Sequence, residues 1–435
     1  MKKFIFCSPS TIPQQRHPDA EYYSMYERSL MAAEDVSDMG LSLKKDVGRA
    51  GISPPTPVWD FVSIALAVAA ADQSCSRAKT FDGWTRQMSL DICLCEPLVW
   101  QSQKLNLEAT FRFLTGDIWD LNFFAGGEPP PKARKPQTYK ADCVSLLSGG
   151  VDSLIGAIDL TKDGKVPLFV SKIVAGDKTL QKEIAKGLGA EARHLQWSFN
   201  CRPANEREGS TRGRSIIFFA YALLAASALP EFGKTRVSIF VPENGFISLN
   251  VPLSVGRVGS LSTKTTHPIY MSGLQNSWNS VGIDVDLRMP FDYQFKTKGE
   301  LVLECRDQRI LKRFLGDSTS CGRYQRKKTH CGSCVPCLVR RGAFLRAGIK
   351  DPTVPSTQTG ERYLMADLSS VYKRGAPNDV GTAAIAVLRL KSAGIESLLG
   401  GALSFAAADD RIKYKGVVER GIVEIGTILS NYGVV

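Results

Sequence analysis

The chain has 435 residues, 43% of them apolar and 23% charged, the balance of a folded globular protein rather than a disordered one. That length exceeds what one compact core supports and implies two or three domains. A net charge of +12 favours acidic partners such as nucleotides, tRNA or an acidic protein, beside the plainer reading of a solvated basic surface.

At the N-terminus, MKKFIFCSP carries two lysines but only four apolar residues before Ser8 and Pro9, too few for a secretory signal. The longest apolar run, Phe61 to Ala71, is broken by Ser63 and falls far short of the roughly 20 residues a bilayer span needs. It reads as a buried helix, and the chain as a cytoplasmic protein with no membrane partner. Met88, Leu90, Ile92 and Leu94 alternate with Ser89, Asp91 and Cys93 as a strand does, and Trp119, Leu121 and Phe123 repeat the pattern. Residues 1–127 are therefore expected to form a small N-terminal α/β domain without a visible catalytic constellation.

Residues 126–140, GGEPPPKARKPQTYK, combine four prolines with four basic residues, a composition that stiffens the backbone, cannot form a core and marks a domain boundary. Beyond it, short apolar runs (Val144 to Leu147, Pro167 to Val170, Val237 to Val241) alternate with helical stretches (Leu154 to Leu160, Leu180 to Leu188, Ile216 to Leu229). Strand and helix in alternation predict an α/β fold with a doubly wound parallel sheet over residues 141–349. A second break at Lys350 to Glu361 precedes residues 362–435, where Thr382 to Leu390 and Gly416 to Leu429 read as a helical C-terminal extension. No internal repeat is present.

Between the strand and the helix that open the central domain lies LLSGGVDSLIGA, Leu146 to Ala157. Ser148, Gly149, Gly150, Val151, Asp152 and Ser153 have the layout of an anion-binding turn. Glycines let backbone N–H groups approach oxygens, the helix N-terminus adds partial positive charge, and the two serines offer hydroxyls. The turn lacks the lysine of a Walker A loop. A carboxylate at a phosphate site is repelled unless it holds Mg²⁺ or caps the helix, so Asp152 does one or the other.

Of eleven cysteines, Cys7, Cys75, Cys93, Cys95, Cys143, Cys201 and Cys305 are scattered without disulfide-framework spacing. Cys321, Cys331, Cys334 and Cys337 follow the pattern C-x9-C-x2-C-x2-C, that of a closed tetrahedral Zn²⁺ site with no coordination position left for water. His330 fits the pattern less well than its neighbour Cys331 and is expected to lie behind the ligands or to face solvent.

The SGGxDS string resembles the pyrophosphate loop of the N-type ATP pyrophosphatases, which cleave ATP between the α and β phosphates. With the cysteine pattern about 170 residues later, it resembles the 7-cyano-7-deazaguanine synthases, the QueC-like enzymes of deazapurine biosynthesis, over roughly residues 141–346. The resemblance implies roles for Arg214, in STRGRSIIFFAYALLAA, and Lys298, in KTKGE, and it extends to the ending CLVRRGAF. It implies ATP, Mg²⁺ and Zn²⁺, a deazaguanine carboxylate as substrate, and catalysis by Asp152, Arg214 and Lys298. The carboxylate would be adenylated and then joined to an amine from outside, since no glutaminase signature accompanies the core. The chain departs from the family at Phe169 to Lys178, where a tyrosine and a glutamine are replaced, and at Ser215, where the family carries asparagine.

The long extensions resemble those of QueC-like proteins from the Qat anti-phage defence system and imply partner proteins of a defence operon. A partner's N-terminal amine could then replace ammonia, because an α-amino group with a pKa near 7.7 to 8.0 is a better nucleophile at neutral pH than lysine. Two other readings stand beside this one. An RNA-modifying PP-loop enzyme is favoured by the net charge and by Arg323, Arg326, Lys327 and Lys328 between the zinc ligands. A catalytically idle nucleotide-binding scaffold is favoured by the departures.

Overall fold

A computed structural model describes residues 1–435 except 30–35, 174–176, 202–204, 254–263, 325–327 and 375–377. Ten strands form two five-stranded sheets, and every neighbouring pair within them is parallel. The first sheet comprises β1 (Lys2–Cys7), β2 (Ala20–Met25), β3 (Val36–Met39), β4 (Gln87–Leu94) and β5 (Ile118–Ala125), ordered β3-β2-β1-β4-β5. The second comprises β6 (Cys143–Leu146), β7 (Pro167–Lys172), β8 (His194–Trp197), β9 (Val237–Phe240) and β10 (Val285–Arg288), ordered β10-β9-β6-β7-β8.

The first sheet carries the helices α1 (Leu43–Arg49), α2 (Thr56–Ser74), α3 (Pro97–Gln101) and α4 (Lys104–Thr115). The second carries α5 (Val151–Lys162), α6 (Lys178–Gly187), α7 (Ile216–Ala226), α8 (Gly245–Leu249), α9 (Pro268–Ser280), α10 (Lys298–Glu304) and α11 (Gln308–Leu315). Then come α12 (Val335–Arg346), α13 (Leu368–Lys373), α14 (Asp379–Ala393), α15 (Glu396–Leu399) and α16 (Ala408–Ser430). The expected strands and helices correspond to β4, β5, β6, β7, β9, α2, α5, α6, α7, α14 and α16, overrunning β6, β9 and α6 by one residue and α7 by three. No described helix is long and apolar enough to cross a membrane.

The apolar run that predicts α2 has a structural cause. Of its nineteen residues sixteen are buried, because α2 packs on β4 on one side and on α7 on the other. Ten of the eleven residues of α7 are buried likewise, against α2 and against β6 and β7. A helix buried all round has no polar face to show. Alanines at 65, 67, 69, 70 and 71 in α2 and at 220, 222, 225 and 226 in α7 belong to one continuous core that runs from Phe4 in the first sheet to Phe169 in the second.

The connection at residues 126–140 is fastened rather than free. The Gln137 amide donates to the Gly51 carbonyl at 2.9 Å, the Trp59 indole to the Glu128 carbonyl at 2.9 Å, and the Tyr139 hydroxyl to the Ala50 carbonyl at 2.9 Å. Pro131 and Tyr139 are buried. Contrary to the expectation from composition, this segment contributes to a core, because Pro131 and the Tyr139 ring supply apolar surface while the basic residues stay exposed.

The C-terminal helices share a second core with α8, which includes Phe246 and Leu249 of α8, Leu338 and Val339 of α12 and Val417, Val418 and Ile425 of α16. Gly342 allows the close crossing of these helices: a Cβ there would lie 2.7 Å from the Glu424 carbonyl oxygen.

Candidate functional site

In the second sheet the chain steps outward from β6 to β7 and β8, then returns to the other side of β6 for β9 and β10. The strand ends between β6 and β9 are thus the switch point where open α/β sheets form their ligand crevice. The turn from Ser148 to Ser153 leaves β6 there. Gly149 has φ +90°, a conformation that side-chain-bearing residues rarely adopt, and Gly150 is the N-cap of α5. Asp152 makes no capping hydrogen bond, which removes one of its two predicted roles.

The turn braces itself. Ser153 Oγ donates to the Gly150 carbonyl at 3.0 Å and accepts from the Ser148 amide at 3.2 Å, while Ser148 Oγ accepts from the Gly150 amide at 3.3 Å. Gln181 of α6 donates to the Ser148 carbonyl at 3.1 Å, and the Thr319 amide donates to the Gly149 carbonyl at 3.0 Å. Thr319 Oγ1 in turn donates to Asp177 at 3.2 Å. Ser148 remains exposed at the mouth.

Three short helix starts converge behind this turn. Asp152 lies in the first turn of α5, Asn244 caps α8, and Lys298 is the first residue of α10, whose capping box is built by Thr297 and Glu300. Lys298 Nζ contacts Asp152 Oδ2 directly, and Asn244 Nδ2 donates to the same oxygen at 3.3 Å. Asp152 and Lys298 are both buried, and Asp152 Oδ1 has no hydrogen-bond partner. Burial, the largest influence, pushes the Asp152 pKa up, but the Lys298 ammonium together with hydrogen bonds from Glu243 and Asn244 outweighs it and holds the carboxyl below its usual value. Glu243 beside it is pushed well above the ordinary range by burial and by the Asp152 charge. The two carboxyls are pushed in opposite directions, the separation that lets paired acids take different roles.

Arg214 stands apart from this pair. It lies exposed in a short 3₁₀ turn, Gly213–Ser215, ahead of α7. Its field reaches Lys172, at the end of β7 in the row of strand ends that includes Ser148. Burial and then Arg214 lower the Lys172 pKa to about 8. The Lys172 ammonium lies 5.5 Å from the Phe199 ring and 5.8 Å from the Phe218 ring. The predicted cations therefore divide between two places, Lys298 behind the turn and Arg214 beside Lys172. Of the stretch Phe169 to Lys178, residues 174–176 lie outside the described residues.

Sequence reasoning missed Glu243, Asn244, Lys172, Gln181, Asp177 and Thr319. A signal did exist for the first two, since Pro-Glu-Asn directly follows the apolar run Val237 to Val241 and so sits at a strand end. The others are single polar residues with no pattern around them. A cavity of about 600 Å³ beside β9 and β10, lined by Arg236, Met271, Gln275, Arg288 and Tyr414 among others, holds none of the predicted site residues.

Cys321, Cys331, Cys334 and Cys337 come together with all four sulfurs within 4.8 Å of one another, the one such cluster among the described residues. Sulfur separations of 3.9 Å for Cys331 to Cys337 and for Cys321 to Cys334 match the edge of a tetrahedron whose metal–sulfur bonds are about 2.3 Å. Amides of Arg323 and Cys331 donate to the Cys321 sulfur, and that of Cys334 to the Cys331 sulfur, each at 3.3 Å. These donors favour thiolates, so the residues fit a metal ion and are compatible with zinc. Four sulfurs around one ion would leave no coordination position for water, the arrangement of a structural site.

His330 is not solvent-facing. It is buried, and its Nε2 accepts from the Ser320 amide at 3.3 Å while its carbonyl accepts from Leu364. Of the basic residues between the ligands, Arg326 and Lys327 lie outside the described residues. Compared with protein-family models, with curated proteins and with solved structures, the chain finds no match in any of the three.

Proposed function

We propose that the second sheet is a PP-loop ATP pyrophosphatase core that adenylates a 7-deazaguanine carboxylate and passes the acyl group to nitrogen, as the QueC-like resemblance implies. The observation that carries this reading is the self-braced glycine turn at the β6–β9 switch point with the buried Asp152–Lys298 pair behind it. In the reaction, a carboxylate oxygen attacks the α-phosphorus of ATP, the bond to the β-phosphate oxygen breaks, and pyrophosphate leaves. The departing charge falls on the backbone and hydroxyls of Ser148 to Ser153, with Arg214 and Lys172 at the adjoining strand end. An amine then attacks the acyl carbon, AMP leaves with the bonding electron pair, and the nitrogen loses a proton.

The free Oδ1 of Asp152 fits a Mg²⁺ ion, which supplies charge neutralisation to phosphate oxygens when bound. Lys298 keeps Asp152 ionised for that purpose and Asn244 fixes its orientation. The amine is ammonia or the N-terminus of a defence-operon partner protein.

Pyrophosphate release measured with ATP and 7-carboxy-7-deazaguanine, with ATP and tRNA, and with ATP alone tests the reading. Release that depends on the deazaguanine supports it; release that depends on tRNA points to RNA modification, and none at all to an idle scaffold. Intact-mass analysis of co-expressed partners distinguishes a free nitrile from a protein conjugate.

A further inference from the structure

A groove of about 1220 Å³ lies on the first sheet's side of the molecule, between α1 and the proline-rich segment after β5. It exceeds the roughly 300–1,000 Å³ of a small-molecule pocket. One wall carries Lys45 and Arg49 of α1; the other carries Lys132, Arg134 and Lys135; Arg28 stands at the margin. Five of these six side chains thus come from the two segments that border the recess, and all six are exposed. Only Glu27 and Asp46 line the groove as acids, and Asp46 lies 3.5 Å from Arg49. The other five cations pair with no carboxylate among the described residues.

The walls are built, not incidental. Lys44 pairs with Glu128 at the root of the second wall, the Ala133 amide donates to Ser53 Oγ at 2.9 Å, and buried Pro131 packs beside Gly48. Holding like charges across a recess costs free energy that a bound polyanion returns, with release of its counterions. Lys45 and Arg49 are one helical turn apart, about 6 Å along α1, so the charge is presented at regular intervals rather than as one point.

We infer that this groove binds the phosphodiester backbone of a single-stranded nucleic acid without reading its sequence. An acidic peptide is the weaker occupant, because peptide docking relies on apolar anchor pockets, and the apolar lining here is buried Tyr26 and Pro131 with half-buried Leu41. No aromatic ring is exposed in the lining for base stacking, which leaves backbone charge as the means of recognition. The inference is independent of the adenylation chemistry.

Fluorescence anisotropy of the full chain with a labelled oligouridylate of about 20 nucleotides tests it. Six cations on a single strand give a log–log salt slope near −4, so affinity should fall on the order of 10²-fold between 50 and 200 mM salt. Lys132→Glu/Arg134→Glu/Lys135→Glu should weaken binding by at least about 10²-fold, and Lys45→Glu/Arg49→Glu on the other wall by at least about tenfold. Reversal of Arg309, Lys312 and Arg313 on α11, outside the groove, should change affinity less than about threefold, with thermal melts confirming that each variant is folded. Equal losses from the α11 and groove variants would assign binding to net charge and overturn the inference. So would wild-type affinity in both wall variants, or displacement of the oligouridylate by polyglutamate at equal charge concentration.

Discussion

The two sheets of this protein have the same strand order, each running outward from its first strand and returning to that strand's other side. What differs is the turn at the switch point. After β6 the chain makes the Ser148 to Ser153 turn and enters a twelve-residue helix. After β1 it passes through Ser8 and Pro9 into a single 3₁₀ turn, and the strand ends are closed by the chain itself. Ser8 Oγ donates to the Gly126 carbonyl at 3.0 Å, and the Gly127 amide donates to the Leu94 carbonyl at 3.1 Å. A shared topology thus supplies a crevice, and local turn chemistry decides whether a glycine turn lines it or backbone fills it.

The sharpest way to break this comparison is at Asp152. Asp152→Asn should lower deazaguanine-dependent pyrophosphate release by about 10³-fold, whereas Ser8→Ala at the corresponding place in the first sheet should leave it unchanged. Asp152→Asn also strands a buried ammonium, at a cost of about 3–5 kcal/mol. Asp152→Asn/Lys298→Met should therefore recover melting temperature without recovering turnover. Recovery of both would remove Asp152 from the chemistry.

Metal removal should likewise separate the halves. Elemental analysis is expected to give about one zinc per chain. Chelation should raise hydrogen exchange around Gly149 and Thr319, which are joined by a backbone hydrogen bond, before it affects β1 to β5. Uniform loosening of both sheets would contradict that order.

A smaller effect is expected at the closed crevice. A Cβ on Gly127 would lie 2.5 Å from the Leu94 carbonyl carbon, so Gly127→Ala should destabilise by about 1–3 kcal/mol in denaturant titration while leaving the KM for ATP unaltered.

The mildest effect is a pH dependence at Lys172. With a pKa lowered to about 8, Lys172 loses its charge as pH rises through that value, so affinity for pyrophosphate should fall several-fold from pH 7 to pH 9. Lys172→Arg should flatten the profile. Between about pH 8 and 10.5 the unfolded chain binds the proton that the folded chain has released, so this group makes stability rise with pH over that window.

Legibility in the sequence followed the length and density of each signal. The glycine turn is a short contiguous string, the cysteines follow a fixed spacing, and the apolar stretches of α2 and β6 are dense although each contains a serine, so each could be read without its partners. β3 and β8 have only four residues, and β2, AEYYSM, shows no alternation, because parallel strands covered on both faces need none. Lys298 was found only through the resemblance. Nothing near KTKGE indicates that its partner is an aspartate 146 positions earlier. That α2 joins two sheets was also hidden, since an apolar helix reads the same whatever covers it.

Arg214 and Lys298 are each steadied by a different extension. Asp72 of α2 accepts from the Gly213 amide at 2.7 Å, fixing the Arg214 turn, and Glu424 of α16 accepts from the Thr297 hydroxyl and from the Gly299 amide at 3.2 Å, fixing the Lys298 turn. During synthesis the chain emerges from its N-terminal end, so the glycine turn and Arg214 are in place long before residue 424 exists. The ribosome therefore exposes a nascent chain that has its anion-binding turn but not the clamp on Lys298. Under the proposed function, competence to activate an acyl group would arrive with the last helix, which makes translation to residue 424 a timer on when the site could first act.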